Sequence, residues 1–496
     1  MKILELSRAR FFAGILLFGL LAMTARNATD PHLWWHLRTG QRIVETGHIP
    51  HTDSFSFTRT GHAWVSHEWL TEVVFYELWK HGGPAVLIVF SAIVTTAGFM
   101  LLYLRCLRWQ GKRHWAAAAT AFGALASAPS WGVRPQMFTF AMASLLLWLV
   151  ETGEDRPKLL LWIPPLFLLW LNLHAGFALG PALLLAYGIG LIVETAVGSE
   201  PWSKTRPIFL RIVILILACL ALVPLNPSGA ELYRYPFDTL RSSGMRSFIG
   251  EWFSPDFHQS LYQPFLLAWL LLLTVLASSR ARPKGRVLIP LILTSFAALD
   301  AVRHIPIFVL VAIPVLAAAL PMARTDRTSS RFRPLFNLSV VVLMAGFAIV
   351  RLTGLAHNQT RREAEQYPQK AVAFLRASPE PGRIFVYYDW GGYAIWTLYP
   401  EYRVFLDGRA DLYGDDLLRQ FKTAVQLRNG WRGVLDGWKV ETVLLPPSCA
   451  LTQALLLDPH WRTAYSDSKA IILIRTQPAL ENASVSSIPA AGSAGK

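Results

Sequence analysis

The stretch "TDPHLWWHLRTGQRIVETGHIPHTDSFSFT" (29–58) follows directly on an apolar run of the kind that crosses a membrane. After Asp30 it carries two tryptophans, four histidines and two arginines. Charged groups close to hydrocarbon are costly unless they have partners or face a watery cavity. The stretch therefore predicts a structured element at the outer face of a membrane. The function of this element has to be inferred from the rest of the chain.

Composition supports a membrane protein. Of the 496 residues, 53% are hydrophobic and only 16% are charged, which is too little charge for the surface of a soluble protein of this size. The net charge is +15, but the basic residues lie in short clusters between apolar runs, as membrane topology requires. We therefore expect no nucleic-acid partner. Cys106, Cys219 and Cys449 have no paired spacing and indicate neither a disulfide framework nor a metal knuckle.

The apolar runs give a span count and an orientation. A membrane helix needs roughly 20 apolar residues to cross about 30 Å of hydrocarbon. About eleven runs qualify, and they are centred near Leu17, Val94, Phe122, Leu145, Phe167, Ala186, Leu215, Leu270, Leu293, Val311 and Val342. Basic clusters recur in the alternate loops 105–114, 154–158, 203–206, 279–286 and 323–333. The positive-inside rule then places the N-terminus in the cytoplasm and the C-terminal region outside.

The first apolar run has a second interpretation. Its basic start and the small residues at its end also fit a cleaved signal peptide, and this alternative stays open beside the membrane span.

The C-terminal region has a different character. From about Tyr367 short apolar strands alternate with helical stretches. The predicted strands are "RIFVYY" (383–388), "YRVFLDG" (402–408), "ETVLLPP" (441–447) and "AIILIRT" (470–476), and "GDDLLRQFKTAVQ" (414–426) predicts an amphipathic helix. We predict a polytopic α-helical membrane domain over 1–360 with a long first outer loop (26–83), a small α/β domain over 361–476, and a disordered tail over 477–496. The expected location is the cytoplasmic (inner) membrane, with the α/β domain on the periplasmic side.

Polar side chains gather at the outer ends of the predicted spans. Besides Asp30, this face receives His67, Glu68, Arg134, Asn172, His174, Asn226, Glu251, Asp256, Asp300, Arg303 and His304. Because ionisable groups at membrane depth need partners or water, several of them at one level on different spans predict one outward-facing polar cavity.

Individual residues also have structural interpretations. Trp34 and Trp35 are typical of aromatic anchors at the membrane interface. Arg303 is typical of a side chain that reaches lipid headgroups. Asp30 followed by Pro31 is a favoured start of a helix, so this carboxylate also fits a capping role.

Three stretches carry a resemblance. An aspartate just past the first span, in a first outer loop predicted to form amphipathic helices, resembles the GT-C superfamily of integral-membrane glycosyltransferases. The stretches "YYDWGGYAIW" (387–396) and "YRVFLDGR" (402–409) are similar to a signature of the oligosaccharyltransferase catalytic subunit, with Asp389 on the family aspartate and Gly391 on its glycine. With "LWWHL" (33–37) they also resemble a group of bacterial membrane proteins of unassigned function.

The resemblance implies an enzyme that moves a sugar from a polyprenyl-phosphate-linked lipid donor to a glycan, lipid or protein acceptor. Such a reaction needs a base for the acceptor proton and cations for the departing phosphate. The predicted base is Asp30, with Glu68 as second choice or partner. The candidate phosphate ligands are Arg303 and His304, followed by Arg134 and His174, because a guanidinium fork matches phosphate oxygens.

The remaining site candidates fall into two groups. The predicted substrate-lining residues are Trp34, Trp35, His36, His67 and Glu251. The predicted acceptor-domain residues are Asp389, Trp390, Gly391, Asp407 and Arg409, which stand at turns where aspartates also suit local capping.

Cofactors and competing functions remain open. No cofactor is predicted with certainty. A divalent metal stays an alternative, because His32 and His36 lie four apart on a predicted helix, although no third ligand is evident. The competing functions are a non-catalytic scaffold for envelope assembly and a transporter for a lipid or polar solute. Transport needs ionisable groups deep within spans, whereas the charges here collect near the outer ends.

Overall fold

The structure, a computed structural model, describes residues 7–278, 283–320, 334–378, 380 and 382–476. The helices of the membrane part and its outer loops are α1 (Arg8–Thr24), α2 (Leu33–Thr46), α3 (Trp69–Gln110), α4 (Arg113–Ala126), α5 (Gln136–Gly153), α6 (Ile163–Leu173), α7 (Leu179–Ala196), α8 (Trp202–Leu222), α9 (Tyr235–Arg241), α10 (Ser243–Phe248), α11 (Gln263–Ser278), α12 (Gly285–Asp300), α13 (Ile305–Ala319) and α14 (Pro334–Gln366).

Every predicted span centre lies inside one of these helices: α1, α3 to α8, or α11 to α14. Within the described ranges, seven helical stretches are long and apolar enough to cross a membrane, and two shorter apolar helices accompany them. The chain is a multi-pass membrane protein, and the count of eleven spans stays a prediction. The basic loop 323–333 and the predicted tail 477–496 lie outside the described residues.

Helix α3 divides into an outer and a membrane segment at Gly83. This residue has φ 60° and ψ −156°, a conformation that glycine adopts without a Cβ penalty, and Pro84 next to it donates no backbone hydrogen bond. The outer segment packs against α2 backbone to backbone, since a Cβ atom at Gly40 would lie 2.0 Å from the carbonyl oxygen of Glu72. The first outer loop is thereby fixed to the membrane helices.

The C-terminal domain holds a five-stranded sheet. Its strands are β1 (Arg383–Val386), β2 (Arg403–Val404), β3 (Thr442–Leu445), β4 (Trp461–Ser466) and β5 (Ile471–Arg475), and its helices are α15 (Gln369–Ala377), α16 (Tyr388–Leu398), α17 (Ala410–Val425), α18 (Trp431–Gly437) and α19 (Ala450–Leu456). The order is β2-β1-β3-β5-β4, with β1 parallel to β2 and β3, and β5 antiparallel to β3 and β4.

The predicted strands and the amphipathic helix α17 are confirmed, while β4 was not predicted because "WRTAYS" lacks an apolar alternation. The predicted domain boundary at 361 falls within α14, which runs to Gln366, and the domain limits stay predictions.

The two faces of the sheet bury different partners, because successive side chains of a strand point to opposite faces. Ile384 and Val386 of β1 join a core with Trp34 and Trp35 of the first outer loop. Phe385, between them, joins a second core built with α17 and α18. One face of the external domain is therefore completed by a segment from the other end of the chain.

The first outer loop also extends the sheet itself. Ser56 pairs in parallel with Val404 of the edge strand β2. The backbone N–H of Phe57 donates to the Val404 oxygen at 3.1 Å, and the Val404 N–H donates to the Phe55 oxygen at 3.2 Å. An exposed strand edge is a site for unwanted pairing, and here the chain covers it with its own loop.

A buried charge cluster locks this junction. The Arg409 guanidinium is 2.8 Å from Asp53 of the first outer loop and 2.7 Å from Asp407. The Tyr413 hydroxyl donates to Asp407 as well. Asp53 also accepts from the backbone N–H groups of Phe55 and Ser56 at 3.1 and 3.0 Å. Burial would raise the pKa of Asp53, but the charge of Arg409 and the hydrogen bonds to Asp53 lower it. Arg409 serves both carboxylates as counter-ion, since an unpaired buried charge would be very costly.

The glycines of the "DWGGY" and "DGR" stretches stand where the first outer loop approaches most closely. A Cβ atom on Gly392 would lie 2.7 Å from the Pro31 oxygen, and one on Gly408 would lie 2.6 Å from His32 Nδ1. These positions have no room for a side chain, so the two stretches form a docking surface for the loop.

We expect Gly392→Ala to destabilise the protein by about 1–3 kcal/mol, because the added methyl overpacks this contact. Gly433→Ala is the matched control, since Gly433 is also helical but its added Cβ would meet no atom within 4 Å. The control should be neutral or slightly stabilising. Thermal melts of both variants in detergent test this, and equal melting temperatures would contradict the tight contact at Gly392.

Candidate functional site

A cavity of about 290 Å³ opens at the outer ends of the membrane helices. Its wall includes five predicted site residues: Arg134, His174, Glu251, Arg303 and His304. They come from the turns before α5, α7 and α13 and from the loop between α8 and α11. Apolar side chains of α5, α7 and α13 form much of the remaining wall. The cavity thus has a charged mouth and an apolar interior.

Arg134 joins two carboxylates at this mouth. Its Nε lies 3.0 Å from Asp30 Oδ2, and its Nη1 pairs with Glu251. The other oxygen of Asp30, Oδ1, accepts from the His32 backbone N–H at 2.9 Å. This bond closes a turn before α2, which begins at Leu33 with His32 at its N-cap, so the helix start expected at Pro31 is wrong by two residues. Burial would raise the pKa of Glu251, but the charges of Arg134 and Arg303 outweigh it and lower this pKa to about 2.

Unlike Arg134, Arg303 has guanidinium N–H groups that make no ion pair among the described residues. Its guanidinium lies over the Trp252 ring, 4.4 Å from the centroid, and in the described part of the chain it makes no ion pair. The neighbouring His304 places Nδ1 3.2 Å from the Ala297 oxygen, so its Nδ1–H is directed at the backbone. A cation on an aromatic face with free N–H groups is ready to bind an anion.

Behind the cavity wall, three imidazoles surround Glu68. The Nε2 atoms of His67, His36 and His174 lie 3.2, 3.4 and 3.4 Å from its carboxylate oxygens. His36 also places Nδ1 3.5 Å from Glu72. Burial would raise the pKa of Glu68, but the three histidines hold it well below its usual range. Glu68 is therefore an ionised anchor for the histidines.

The contacts of His174 Nδ1 determine which ring nitrogen carries the proton. Its Nδ1 accepts from the Gly176 backbone N–H at 2.9 Å and faces the Thr139 hydroxyl at 2.7 Å. Thr139 in turn accepts from Trp170 Nε1 at 2.9 Å. Since Nδ1 is an acceptor, the proton of the neutral ring sits on Nε2 and points at Glu68. Burial lowers the pKa of His174 to about 4, against the opposing charge of Glu68.

Whereas the His174 ring is neutral, the His67 ring carries a positive charge. Its Nδ1 lies 3.0 Å from the Val65 oxygen and its Nε2 lies 3.2 Å from Glu68. Both neighbours are acceptors, so both nitrogens carry protons. Burial lowers the pKa of His67, but Glu68 outweighs burial and raises the pKa to about 9.

This pKa predicts a pH dependence of stability. A histidine whose pKa rises from 6.5 to about 9 on folding stabilises the native state fully below pH 6.5, and this contribution disappears as the pH rises through 9. We expect the melting temperature of the wild type to fall over this window and that of His67→Gln to fall less. His62→Gln is the control, because His62 is exposed. Parallel curves for wild type and His67→Gln would refute the charge assignment.

The predicted tryptophans lie in the protein core. Trp34 is 1% exposed and Trp35 is 7% exposed, and Trp34 makes edge contacts with Tyr367 and Tyr393 at 5.3 and 5.0 Å between ring centroids. Among the described residues, the wall of the cavity includes neither tryptophan, nor His36, His67, Glu68 or Asp30. These side chains support the wall from behind.

The predicted acceptor-domain residues are mostly interior. Asp407 and Arg409 belong to the buried charge cluster, and Trp390 donates through Nε1 to the Gln366 oxygen at 3.1 Å. Gly391 packs on the backbone of residues 406 and 407. Asp389 alone of the five is exposed. Partial desolvation raises the pKa of Asp389, while the charge of His32 lowers it and that of Asp30 raises it, which puts Asp389 beside the Asp30 segment.

Three residues of the cavity and of the buried charge cluster were not predicted from the sequence: Asp53, Tyr235 and Trp252. Tyr235 and Trp252 stand in the loop between α8 and α11 and line the cavity. Nothing in their local sequence marks them, because their partners come from distant segments. Asp53 lies in the opening stretch, but its role depends on Arg409.

No family model matches the chain, and no curated protein matches its sequence. Among solved structures, the chain is similar to the oligosaccharyltransferase AglB from Archaeoglobus fulgidus in complex with an inhibitory peptide and a dolichol-phosphate, with TM-score 0.55 and 12% identity over 88% of this chain and 69% of that chain. The same enzyme tethered with an acceptor peptide gives TM-score 0.53, with 12% identity over 88% and 69% of the two chains. The chain therefore shares the fold of this oligosaccharyltransferase.

A further similar structure is ArnT from Cupriavidus metallidurans bound to undecaprenyl phosphate, with TM-score 0.47 and 13% identity over 93% of this chain and 96% of that chain.

Proposed function

We propose that the protein is a membrane glycosyltransferase that moves a sugar from a polyprenyl-phosphate-linked donor to an acceptor at the outer face of the cytoplasmic membrane. The observation that carries this proposal is the cavity, whose wall combines apolar side chains with Arg303, which has no ion pair among the described residues, and with Arg134, which pairs with Glu251 in the wall and with Asp30 beside it. AglB, whose fold the chain shares, was solved with a dolichol-phosphate and a peptide. The proposed topology has eleven spans and a cytoplasmic N-terminus.

The donor would place its phosphate at the charged mouth and its polyprenyl chain against the apolar wall. Arg303 is the proposed phosphate ligand, because its N–H groups are unspent and a guanidinium binds phosphate oxygens in a bidentate manner. Arg134 is committed to Asp30 and Glu251, so its charge is already balanced. As the glycosidic bond breaks, negative charge grows on the departing phosphate, and Arg303 stabilises it where water is scarce.

The proposed general base is Asp30. A carboxylate has about four lone-pair positions, and the contacts with Arg134 and the His32 backbone leave others for the acceptor hydroxyl. Asp30 lies on the side of the external domain, where Asp389 and His32 are its neighbours. Glu251 shares Arg134 and His32 with Asp30 and is also close to Arg303. An acceptor that approaches under the external domain would therefore meet Asp30, and Asp30 would take its proton while the acceptor oxygen attacks the sugar.

A divalent metal does not fit the histidine cluster around Glu68. The Nε2 atoms of His67 and His174 carry protons that point at Glu68, as their other contacts require, and a protonated nitrogen has no lone pair for a metal. In the described ranges, no group of three or more His, Cys, Asp or Glu side chains is arranged to hold a metal ion. We derive no step through a metal.

The experiment uses the purified chain in nanodiscs with a panel of labelled polyprenyl-phosphate sugars. Release or transfer of the sugar by the wild type supports the proposal. Arg303→Gln should weaken the binding of undecaprenyl phosphate about 10- to 100-fold, the worth of a hydrogen bond to a charged group. Arg246→Gln is the matched control, because the Arg246 side chain is exposed and its ion pair with Asp300 is long, at 3.8 Å. Absence of both binding and turnover across the panel would leave the scaffold and transporter functions instead.

A further inference from the structure

Tyr235 stands where two hollows of the outer surface meet. Together with Thr239 it lines both the cavity and an open hollow of about 440 Å³ between α9, α10 and the start of α17. A molecule that extends from the cavity into this hollow would contact its side chain. Its surroundings therefore decide what the mouth of the cavity offers to a ligand.

The Tyr235 hydroxyl is oriented by His67. Its oxygen lies 3.3 Å from His67 Nε2, and the two rings pack with centroids 4.3 Å apart. The other ring nitrogen, Nδ1, already donates to the Val65 oxygen. If Nε2 were unprotonated, its lone pair would face the Glu68 carboxylate at 3.2 Å. The imidazolium avoids this repulsion, and its Nε2–H is shared between Glu68 and the Tyr235 oxygen.

Because His67 is the donor in this hydrogen bond, the hydroxyl proton of Tyr235 is not used in it. Its oxygen accepts from His67, and the Thr239 side chain is its other hydrogen-bonding neighbour, so its O–H is not used in the contact with His67 and can donate to a ligand. A donor whose own oxygen accepts a hydrogen bond from a cation is strengthened by polarisation. The proton is retained, because burial and the charges of Asp411 and Glu68 raise the pKa of Tyr235 well above its ordinary value.

The charges of the mouth indicate which ligand atom this donor would meet. Arg303 acts on Tyr235 electrostatically. Glu251 is near it, but Arg303 makes no direct ion pair among the described residues, whereas Arg134 is held by Asp30 and Glu251. An anion entering the cavity is therefore drawn to the side of Arg303, where Tyr235 presents its O–H.

We propose that Tyr235 donates a hydrogen bond to the phosphate of the polyprenyl-phosphate donor beside Arg303, and that His67 and Glu68 are positioning residues that aim its hydroxyl. This inference rests on the proposed function and adds to it a phosphate ligand from the loop between α8 and α11. It also gives the buried His67–Glu68 pair a role in substrate binding.

The test measures the affinity of the full chain in nanodiscs for undecaprenyl phosphate and for undecaprenol. Tyr235→Phe should bind undecaprenyl phosphate about tenfold more weakly and undecaprenol as the wild type does. Tyr233→Phe is the matched control, because the Tyr233 hydroxyl donates to the Leu220 oxygen and should be silent for both ligands. His67→Gln should reproduce the loss for undecaprenyl phosphate and leave undecaprenol binding unchanged, which a merely structural role would not do.

The outcomes separate the two proposals. If the wild type prefers undecaprenyl phosphate to undecaprenol and Tyr235→Phe keeps that preference in full, the role of Tyr235 is refuted while the donor cavity stands. If the wild type shows no preference for the phosphate, the proposed function itself fails. A Tyr235→Phe variant that melts below the wild type is compared with it at a temperature at which both remain folded, and an unchanged phosphate preference there would equally overturn the inference.

Discussion

Asp30→Asn is expected to lower sugar release or transfer about 10²- to 10⁴-fold, the usual contribution of a general base. The amide keeps the shape of the side chain and can still accept from the His32 backbone, but it cannot take a proton. Binding of undecaprenyl phosphate should remain within a few-fold, because Arg303 rather than Asp30 is the proposed phosphate ligand. Turnover of labelled donor and ligand affinity, measured on the same nanodisc samples, check both statements.

Two variants make this result specific. Asp256→Asn changes an exposed carboxylate in the same loop as Glu251, whose hydrogen bonds within the described part of the chain go to His258 and Gln259, and should be silent. Glu251→Gln removes the other partner of Arg134 and should reduce turnover much less than Asp30→Asn. If Glu251→Gln instead abolishes turnover and Asp30→Asn does not, the base is Glu251. If neither variant slows a turnover that the wild type shows, no carboxylate of this pair serves as base.

Arg409→Met is expected to destabilise the external domain by about 3–5 kcal/mol, the cost of leaving buried carboxylates without their counter-ion. Asp53 and Asp407 are both buried, and Arg409 is 1% exposed. The variant should melt well below the wild type in detergent and lose protease resistance in the external domain. Arg403→Met is the control, because Arg403 is exposed on β2 with only a 3.4 Å contact to Thr60 and should change stability by about 0.5 kcal/mol or less.

A triple variant tests whether the charges themselves are responsible. Asp53→Asn with Asp407→Asn and Arg409→Met removes all three charges together, so no buried ion is left unpaired. It should recover much of the stability that Arg409→Met loses, since replacing a whole buried ion cluster is far less costly than breaking it. A triple variant as unstable as the single one would mean that the packing of Arg409 against Phe55 and Trp64, and not its charge, stabilises the junction.

The sequence predicted the parts of the molecule that follow from a local pattern. Hydropathy located the span centres because hydrocarbon accepts only long apolar helices. The apolar runs of β1, β3 and β5 were visible because both faces of this sheet are buried. The polar cavity followed from topology, since Arg134, His174, Glu251 and Arg303 could be assigned to one face before any distance was known.

What the sequence could not supply were partners across long separations. Trp34 and Trp35 have the composition of interfacial anchors, and only the covering external domain makes them core residues. Glu68 is the second choice for the base from sequence, and its contacts with His36 and His174 come from distant segments that no local pattern reveals. No local sequence pattern distinguishes Asp53 or Tyr235, because their roles depend on contacts with Arg409 and His67, which are distant in the sequence.

The pairing of the first outer loop with the sheet has a consequence for biosynthesis. Thr58 donates to the Phe405 oxygen across 347 residues of sequence, so the loop, which leaves the ribosome early, cannot complete its structure until nearly the whole chain has been made. Contacts between such distant residues form late because loop closure is costly. Until then, Trp34, Trp35 and Phe55 are exposed apolar surface that invites aggregation or chaperone binding. A chain truncated before β2 would therefore leave its N-terminal loop unfinished, and a quality-control protease would find its first cleavage site there.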